Sequence, residues 1–85
     1  GIRKTFEIEG RKRISDGYIE GKSLTEIKNV KKQGLTLQIK DNIKFADNKG
    51  IDFNLYIRSE ANISKPLKLA AQTGEVNIIY VDMPH

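Results

Sequence analysis

Residues 11–30 contain side chains that could bind a metal ion and act on a phosphate ester. The residue pattern predicts two strands here, with Asp16 on the first and both Glu26 and Lys28 on the second. Side chains alternate between the faces of a strand, so Glu26 and Lys28 share one face while Ile27 points to the other. This spacing predicts a site for a divalent metal ion at the edge of a sheet.

The loop between these strands decides whether the two acids face each other. A three-residue loop over residues 20–22 pairs Asp16 with Glu26 in an antiparallel hairpin, with Cβ atoms roughly 5 Å apart. A two-residue loop would shift the register by one and place the carboxylates on opposite faces. The prediction therefore requires an odd loop, in which Gly21 can adopt the left-handed conformation.

Two carboxylates at that distance repel each other, which raises at least one pKa and calls for a cation. Mg²⁺ commonly takes one or two carboxylates, several waters and a substrate phosphate. Such an ion acidifies water and polarises a phosphoryl oxygen, and Lys28 could orient that water or offset charge on the phosphorus. The alternative for Glu26 and Lys28 is a solvated surface pair that contributes about 0.2–1 kcal/mol.

The composition describes a single small soluble domain with a modest core. The chain has no cysteine, which excludes a disulfide framework, a thiolate zinc site and a thiol nucleophile. No apolar run approaches the roughly 20 residues of a membrane-spanning helix, and no signal peptide opens the chain. Because the chain starts in strand-like sequence, we expect residues 1–85 to be the C-terminal part of a longer polypeptide.

Positive charge is concentrated around the predicted site. Residues 1–32 contain nine Lys and Arg against five Asp and Glu, whereas residues 33–85 contain six of each. A basic surface attracts a phosphate backbone and steers its approach. Alternatively, these charges are solvated strand ends. The predicted nucleic-acid-binding residues are Arg11, Lys12, Arg13, Lys31 and Lys32.

The hydrophobic pattern predicts five strands and two helices. Strands are expected over residues 4–9, 12–19, 24–30, 51–58 and 76–81, and helices over residues 35–47 and 64–74. Residues 35–37 could also begin a strand, and the continuous apolar run at 76–81 predicts a buried strand. We therefore expect an α/β (α+β) fold in which a three-stranded antiparallel meander is followed by helix, strand, helix and strand in one mixed sheet.

Three more side chains could line the site. Glu7 could approach a metal ion from the first strand. Gln38 on the first helix could hydrogen-bond phosphate or water, and Arg58 at the end of its strand could contact phosphate. More commonly, an acid such as Glu7 is simply solvated, a glutamine such as Gln38 is part of the polar flank of an amphipathic helix, and an arginine such as Arg58 caps the sheet.

Asp16, Glu26 and Lys28, followed by a helix with a glutamine and a strand ending in arginine, resemble the motif of the PD-(D/E)xK superfamily of restriction-endonuclease-like nucleases. The run LTEIKNVKK and the later SKPL are similar to the restriction-endonuclease-fold toxin domains at the C-terminal ends of bacterial polymorphic and contact-dependent inhibition toxins. The likeness covers about residues 11–67. Ser15 stands where the superfamily usually has proline, and the leading helix of its core is missing.

The resemblance assigns roles to residues of this chain. Asp16 and Glu26 match the metal ligands, with the carbonyl of Ile27 as a third, and Lys28 matches the catalytic lysine. Gln38 matches a polar helix position that often lines the site. The expected ion is Mg²⁺, with Mn²⁺ or Zn²⁺ as alternatives.

The resemblance implies a metal-dependent endonuclease that hydrolyses phosphodiester bonds of DNA or tRNA. It implies a secreted or surface-delivered toxin effector that acts in the cytoplasm of a target cell and is neutralised by a cognate, acidic immunity protein. A non-catalytic nucleic-acid-binding module of the same fold and an intracellular resolvase or restriction-type endonuclease remain alternatives. The complete set of Asp16, Glu26 and Lys28 favours an enzyme, because a binding module has no need for two acids near phosphate.

Overall fold

Two β-hairpins open the chain, and they are joined at Asp16. The structure, a computed structural model, describes residues 2–84; Gly1 and His85 lie outside the described residues. The first hairpin consists of β1 (Lys4–Ile8) and β2 (Arg11–Ser15), and the second consists of β3 (Gly17–Ile19) and β4 (Ser23–Lys28). Each pair is antiparallel.

The remaining elements complete a mixed α+β domain. They are β5 (Lys32–Gln33), α1 (Leu37–Lys49), β6 (Asp52–Arg58), β7 (Asn62–Ile63), α2 (Lys65–Gln72) and β8 (Asn77–Val81). Hydroxyl groups cap both helices, since Thr36 accepts from the Ile39 amide and Ser64 accepts from the Leu67 amide. Gly50, in the left-handed conformation, ends α1. Neither helix of the described chain is long and apolar enough to cross a membrane.

The central sheet has the strand order β3-β4-β6-β8, in which β4, β6 and β8 are parallel. The register places Glu26 beside Leu55 and Lys28 beside Ile57, so these four side chains share one face. Leu55 and Ile39 are fully buried in the same core cluster, which places α1 over this face. The hairpin β1–β2 packs against the same helix, because the ring of Phe6 stacks on Phe45 with centroids 4.1 Å apart.

The predicted fold class is confirmed, but the arrangement of the first strands differs from the prediction. The expected strand over residues 12–19 is interrupted at Asp16, so β1 and β2 form a separate sheet instead of joining one mixed sheet. A short parallel pair of β5 and β7, which the sequence pattern did not predict, forms a third sheet. Residues 35–36 precede α1 and do not belong to it.

One prediction about burial was wrong. β8 was expected to be a buried strand, but it lies at the edge of the central sheet with Tyr80 52% exposed. Within residues 76–81, Val76, which precedes the strand, is the one buried residue. Ile27 is likewise 52% exposed, because it lies on the face of β4 opposite to α1. An apolar strand pattern does not distinguish a covered sheet face from an open one.

Candidate active site

Asp16 lies where the first hairpin separates from the second. The predicted three-residue loop is present, with Gly21 at φ 72°, and it pairs Gly17 with Thr25 in the expected register. Asp16 itself leaves the regular ladder, because its amide also donates to the Thr25 carbonyl, at 3.1 Å. Two residues therefore oppose one, as in a β-bulge, and such bulges redirect side chains at functional sites.

The bulge depends on a close approach between strands. A Cβ added to Gly17 would lie 3.3 Å from the Cβ of Thr25, so a larger residue would push the strands apart. The redirected carboxylate of Asp16 accepts a hydrogen bond from the Ile27 amide at 2.8 Å. In an extended strand the N–H and C=O of one residue point to the same side. The carbonyl of Ile27 is therefore directed to the edge of β4 where Asp16 lies.

Glu26 is almost completely buried, with 4% of its surface exposed. Its Oε2 accepts from Nε2 of Gln38 at 3.2 Å, whereas its Oε1 is buried without a hydrogen-bond partner among the described residues. Burial raises the pKa of Glu26, and the charge of Asp16 raises it further, while Lys28 acts in the opposite direction. A buried carboxylate oxygen that lacks a donor is costly for the fold.

Lys28 and Gln38 complete the cluster. Nζ of Lys28 donates to Oε1 of Gln38 at 2.8 Å and lies 3.6 Å from Oε2 of Glu26. The amide of Gln38 therefore bridges the acid and the lysine, donating to one and accepting from the other. Gln38 is in the first turn of α1, which brings the helix over the end of β4. The structure thus brings together Asp16, Glu26, Ile27, Lys28 and Gln38.

Comparison with protein families agrees with this geometry. The family model described as restriction endonuclease fold toxin 7 matches residues 2–67. The chain belongs to this family. The matched segment begins before β1 and ends in the first turn of α2, so it contains the complete cluster. Searches of curated proteins and of solved structures gave no match.

Two predicted site-lining residues of this restriction-endonuclease-fold toxin domain lie apart from the cluster. Glu7 is exposed on β1, on the face opposite to Phe6, and pairs across the hairpin with Lys12. Arg58 follows Ile57 on β6 and therefore lies on the other face of the sheet from Lys28. Its Nε donates to Oδ1 of Asn29 at 3.1 Å and lies 3.2 Å from Glu60.

The predicted basic residues of the toxin domain do not form one patch. Arg11 and Arg13 point toward α1, where both bind the carboxylate of Asp41. Lys12 lies between them on the outer face of β2 and is exposed. Two further lysines are exposed at β5, which pairs with β7 away from this hairpin; they are Lys31 and Lys32.

Asp41 is the residue of this region that the sequence analysis missed. It is 2% exposed. The hydrogen bonds that it accepts from Arg11 lower its pKa most, the bond from Arg13 lowers it less, and together they bring it from the ordinary value of 3.8 to about 2. The available signal was its spacing, because residues three apart on a helix share a face. Asp41 is three residues after Gln38 and lies on the side of α1 that faces the site.

Proposed function

We propose that this toxin domain is a metal-dependent endonuclease that hydrolyses phosphodiester bonds of DNA or tRNA. The observation that carries the proposal is the buried Oε1 of Glu26, which has no hydrogen-bond partner in the described part of the chain, in a carboxylate that also feels the charge of Asp16. A fold that only binds nucleic acid gains nothing from a buried, unsatisfied acid beside a second acid. A cation would satisfy both carboxylates.

The residues present fit a hard divalent cation. Asp16, Glu26 and the carbonyl of Ile27 would hold it, and all three offer oxygen. Within residues 2–84 no three His, Cys, Asp or Glu side chains converge, but Mg²⁺ commonly needs only one or two carboxylates, with water and substrate phosphate as further ligands. When bound, such an ion polarises a phosphoryl oxygen and acidifies water. Mn²⁺ and Zn²⁺ remain alternatives.

Lys28 supplies the charge that the phosphoryl group needs as it reacts. Negative charge grows on the phosphoryl oxygens in the transition state, and a positioned ammonium group stabilises it there more than in the ground state. Gln38 holds Nζ of Lys28 in place and at the same time fixes Oε2 of Glu26. We assign Gln38 a positioning role, because its contacts run through those two side chains.

Membership of the toxin family supports the proposal that the chain is a delivered effector. The cell that makes such an effector needs protection from its activity. We propose a cognate immunity protein with an acidic binding face, because the first 32 residues carry the whole positive excess of the chain. The effector would reach its nucleic acid in the cytoplasm of the target cell.

Cleavage assays test the catalytic proposal. We expect the purified chain to cut plasmid DNA or total tRNA in Mg²⁺ or Mn²⁺ and to lose this activity in EDTA. Lys28→Ala should lower the hydrolysis rate by about 100-fold or more, because the loss falls on the transition state. The matched control is Lys40→Ala, which removes an equal charge from the exposed side of α1, away from Gln38. Equal rates for Lys28→Ala and Lys40→Ala would contradict the assignment, and binding without cleavage in every metal would favour the non-catalytic module.

A further inference from the structure

The paired arginines of β2 form a preorganised cation beside the candidate site. Nε and Nη2 of Arg11 donate to Oδ2 and Oδ1 of Asp41, at 2.9 and 2.8 Å. Nε of Arg13 donates to Oδ2 of the same carboxylate, at 2.8 Å. The acid is buried, with a side chain 3% exposed, whereas the side chains of Arg11 and Arg13 are 35% and 24% exposed. The cluster therefore presents a net positive charge to solvent.

The two arginines use Asp41 differently. Arg11 donates two hydrogen bonds to the carboxylate along one edge of its guanidinium, from Nε and Nη2. Arg13 is held by Nε alone, and Asp41 is its hydrogen-bond partner within the described residues. The two terminal amino groups of Arg13 are thus left for another acceptor. A guanidinium with two parallel donors matches the geometry of a phosphate better than an ammonium does.

The position of this cluster relates it to the candidate site. Asp41 is three residues after Gln38, so the two side chains lie on one face of α1, about 5–6 Å apart at Cβ. On β2, Arg13 is three residues before Asp16, a separation of roughly 10 Å along an extended chain. Because Arg13 bonds Asp41, its partly exposed guanidinium lies beside the face of α1 that carries Gln38.

We propose that Arg13, held in place by Asp41, binds a backbone phosphate that flanks the scissile one, and that Arg11 serves to fix Asp41. This inference rests on the proposed nuclease function. It gives the three basic residues of the hairpin different roles. Arg13 binds phosphate, Arg11 holds Asp41 in position, and Lys12 is a solvated charge. A buried aspartate fixing a guanidinium lowers the entropy lost when the arginine binds its ligand.

A pair of neighbouring substitutions tests the assignment. Arg13→Gln and Lys12→Gln remove the same charge from adjacent residues of β2, but only Arg13 points toward α1. Binding is measured by fluorescence anisotropy with a labelled DNA duplex and labelled tRNA, in Mg²⁺ and in a Lys28→Ala background that prevents cleavage. Arg13→Gln should weaken binding about tenfold and reduce the salt slope by about one unit, whereas Lys12→Gln should change affinity less than twofold. Equal effects of the two changes would overturn the proposal.

Asp41→Asn provides a test in which two explanations predict opposite changes in the affinity for nucleic acid. The substitution raises the net charge by one, so diffuse electrostatic attraction predicts tighter binding. The proposal predicts weaker binding, by about threefold or more, because Arg13 loses its anchor. Tighter binding would overturn it, and thermal unfolding checks that the variant is folded. If Asp41→Asn fails to fold, Arg13→Gln against Lys12→Gln decides the matter.

The failure of this inference can be told from the failure of the nuclease function. If the otherwise wild-type chain cleaves nucleic acid but Arg13→Gln binds like Lys12→Gln, only the phosphate ligand is wrong. If the chain neither binds nor cleaves DNA or tRNA in any metal, both proposals are wrong.

Discussion

The buried environment that disfavours the charged form of Glu26 also suits its carboxylate to bind a cation. The carboxylate is buried, one of its oxygens has no hydrogen-bond donor within residues 2–84, and Asp16 adds a like charge. Folding alone does not favour such a group, since burying a charged carboxylate costs free energy unless it is fully paired and hydrogen-bonded. Sites that sacrifice stability for function are expected to show this conflict.

A neutral isostere at position 26 should therefore stabilise the chain when no metal is present. The pKa of Glu26 is raised in the folded state, so the protonated acid favours folding, and this contribution is lost as the pH rises through the raised pKa. Glu26→Gln should increase the free energy of unfolding by about 1 kcal/mol at pH 7 in EDTA, and the gain should shrink as the pH falls toward 4. Denaturant titrations in EDTA at several pH values measure this effect.

A divalent metal ion should reverse the order of stability of wild type and Glu26→Gln. A divalent ion at 100 times its dissociation constant stabilises a protein that binds it by about 2.7 kcal/mol. Wild type should gain this stabilisation in Mg²⁺ or Mn²⁺, while Glu26→Gln and Asp16→Asn should gain little, as followed by the melting temperature. If Glu26→Gln were less stable than wild type in EDTA, or equally stabilised by the ion, Glu26 would be a structural residue.

At the scale of elements, Asp41 connects α1 to the first hairpin. β1 and β2 form a sheet of their own, so their attachment depends on contacts with the helix. These contacts include the stacking of Phe6 on Phe45, the ion pair of Glu9 with Lys44, and the bonds of Asp41 to the two arginines of β2. The network holds the first half of β2, the strand whose other end leads to Asp16.

Acid should loosen this attachment in a defined window. The pKa of Asp41 is lowered from 3.8 to about 2 in the folded chain, so its contribution to stability is complete above pH 3.8 and is lost as the pH falls to about 2. Because the arginines are partly exposed, we expect this contribution to the free energy of unfolding to be about 1 kcal/mol. Asp41→Asn should lack this acid dependence, whereas Asp47→Asn, on the exposed side of α1, should keep it.

Hydrogen exchange locates the effect. In Asp41→Asn the amides of β1 and β2 should exchange faster than in wild type, while those of β4 and β6 in the central sheet should change little, because the hairpin opens separately. A uniform increase over all strands would mean that Asp41 stabilises the whole fold and does not act as a local connection.

The sequence predicted the elements better than their boundaries and partners. Alternation in β6 and the apolar stripe around Ile39 identified a strand and a helix, because both patterns report burial on one side. The break at Asp16 was not predictable in this way, since a bulge keeps the local strand conformation and changes only the pairing. The edge position of β8 was not predictable either, because an apolar run does not reveal whether a strand lies inside a sheet or at its edge.

The cluster at the site was predictable for a related reason. Strand alternation relates Glu26 to Lys28, and the odd loop at Gly21 sets the register that places Gly17, and with it the neighbouring Asp16, opposite Thr25. These relations are local in sequence. The pairing of Asp41 with the arginines spans about 30 residues and depends on how the hairpin packs against α1, which no short-range pattern specifies.

For the molecule as a whole, the uneven charge suggests how a protecting partner would bind. Residues 1–32 carry the positive excess, and residues 33–85 are balanced. Arg11 and Arg13 are already paired with Asp41, so the exposed lysines at β5 are the freer charges for an approaching acidic surface. Charge of this kind affects the rate of association more than the final affinity.

Charge reversal at β5 should therefore slow association with an acidic immunity protein. The double change Lys31→Glu and Lys32→Glu should lower the association rate constant by about tenfold at low salt, and the difference should shrink as salt screens the charges. The matched control, Lys40→Glu with Lys49→Glu, makes the same change on exposed positions of α1. Stopped-flow measurements at several salt concentrations, with melting temperatures as a check on folding, compare the two variants. A partner that covers about 800 Å² of this chain near the site would be slowed mainly by the first change. Equal rates for the two variants would mean that the partner does not approach through β5, and that the lysines there serve nucleic acid or are only solvated.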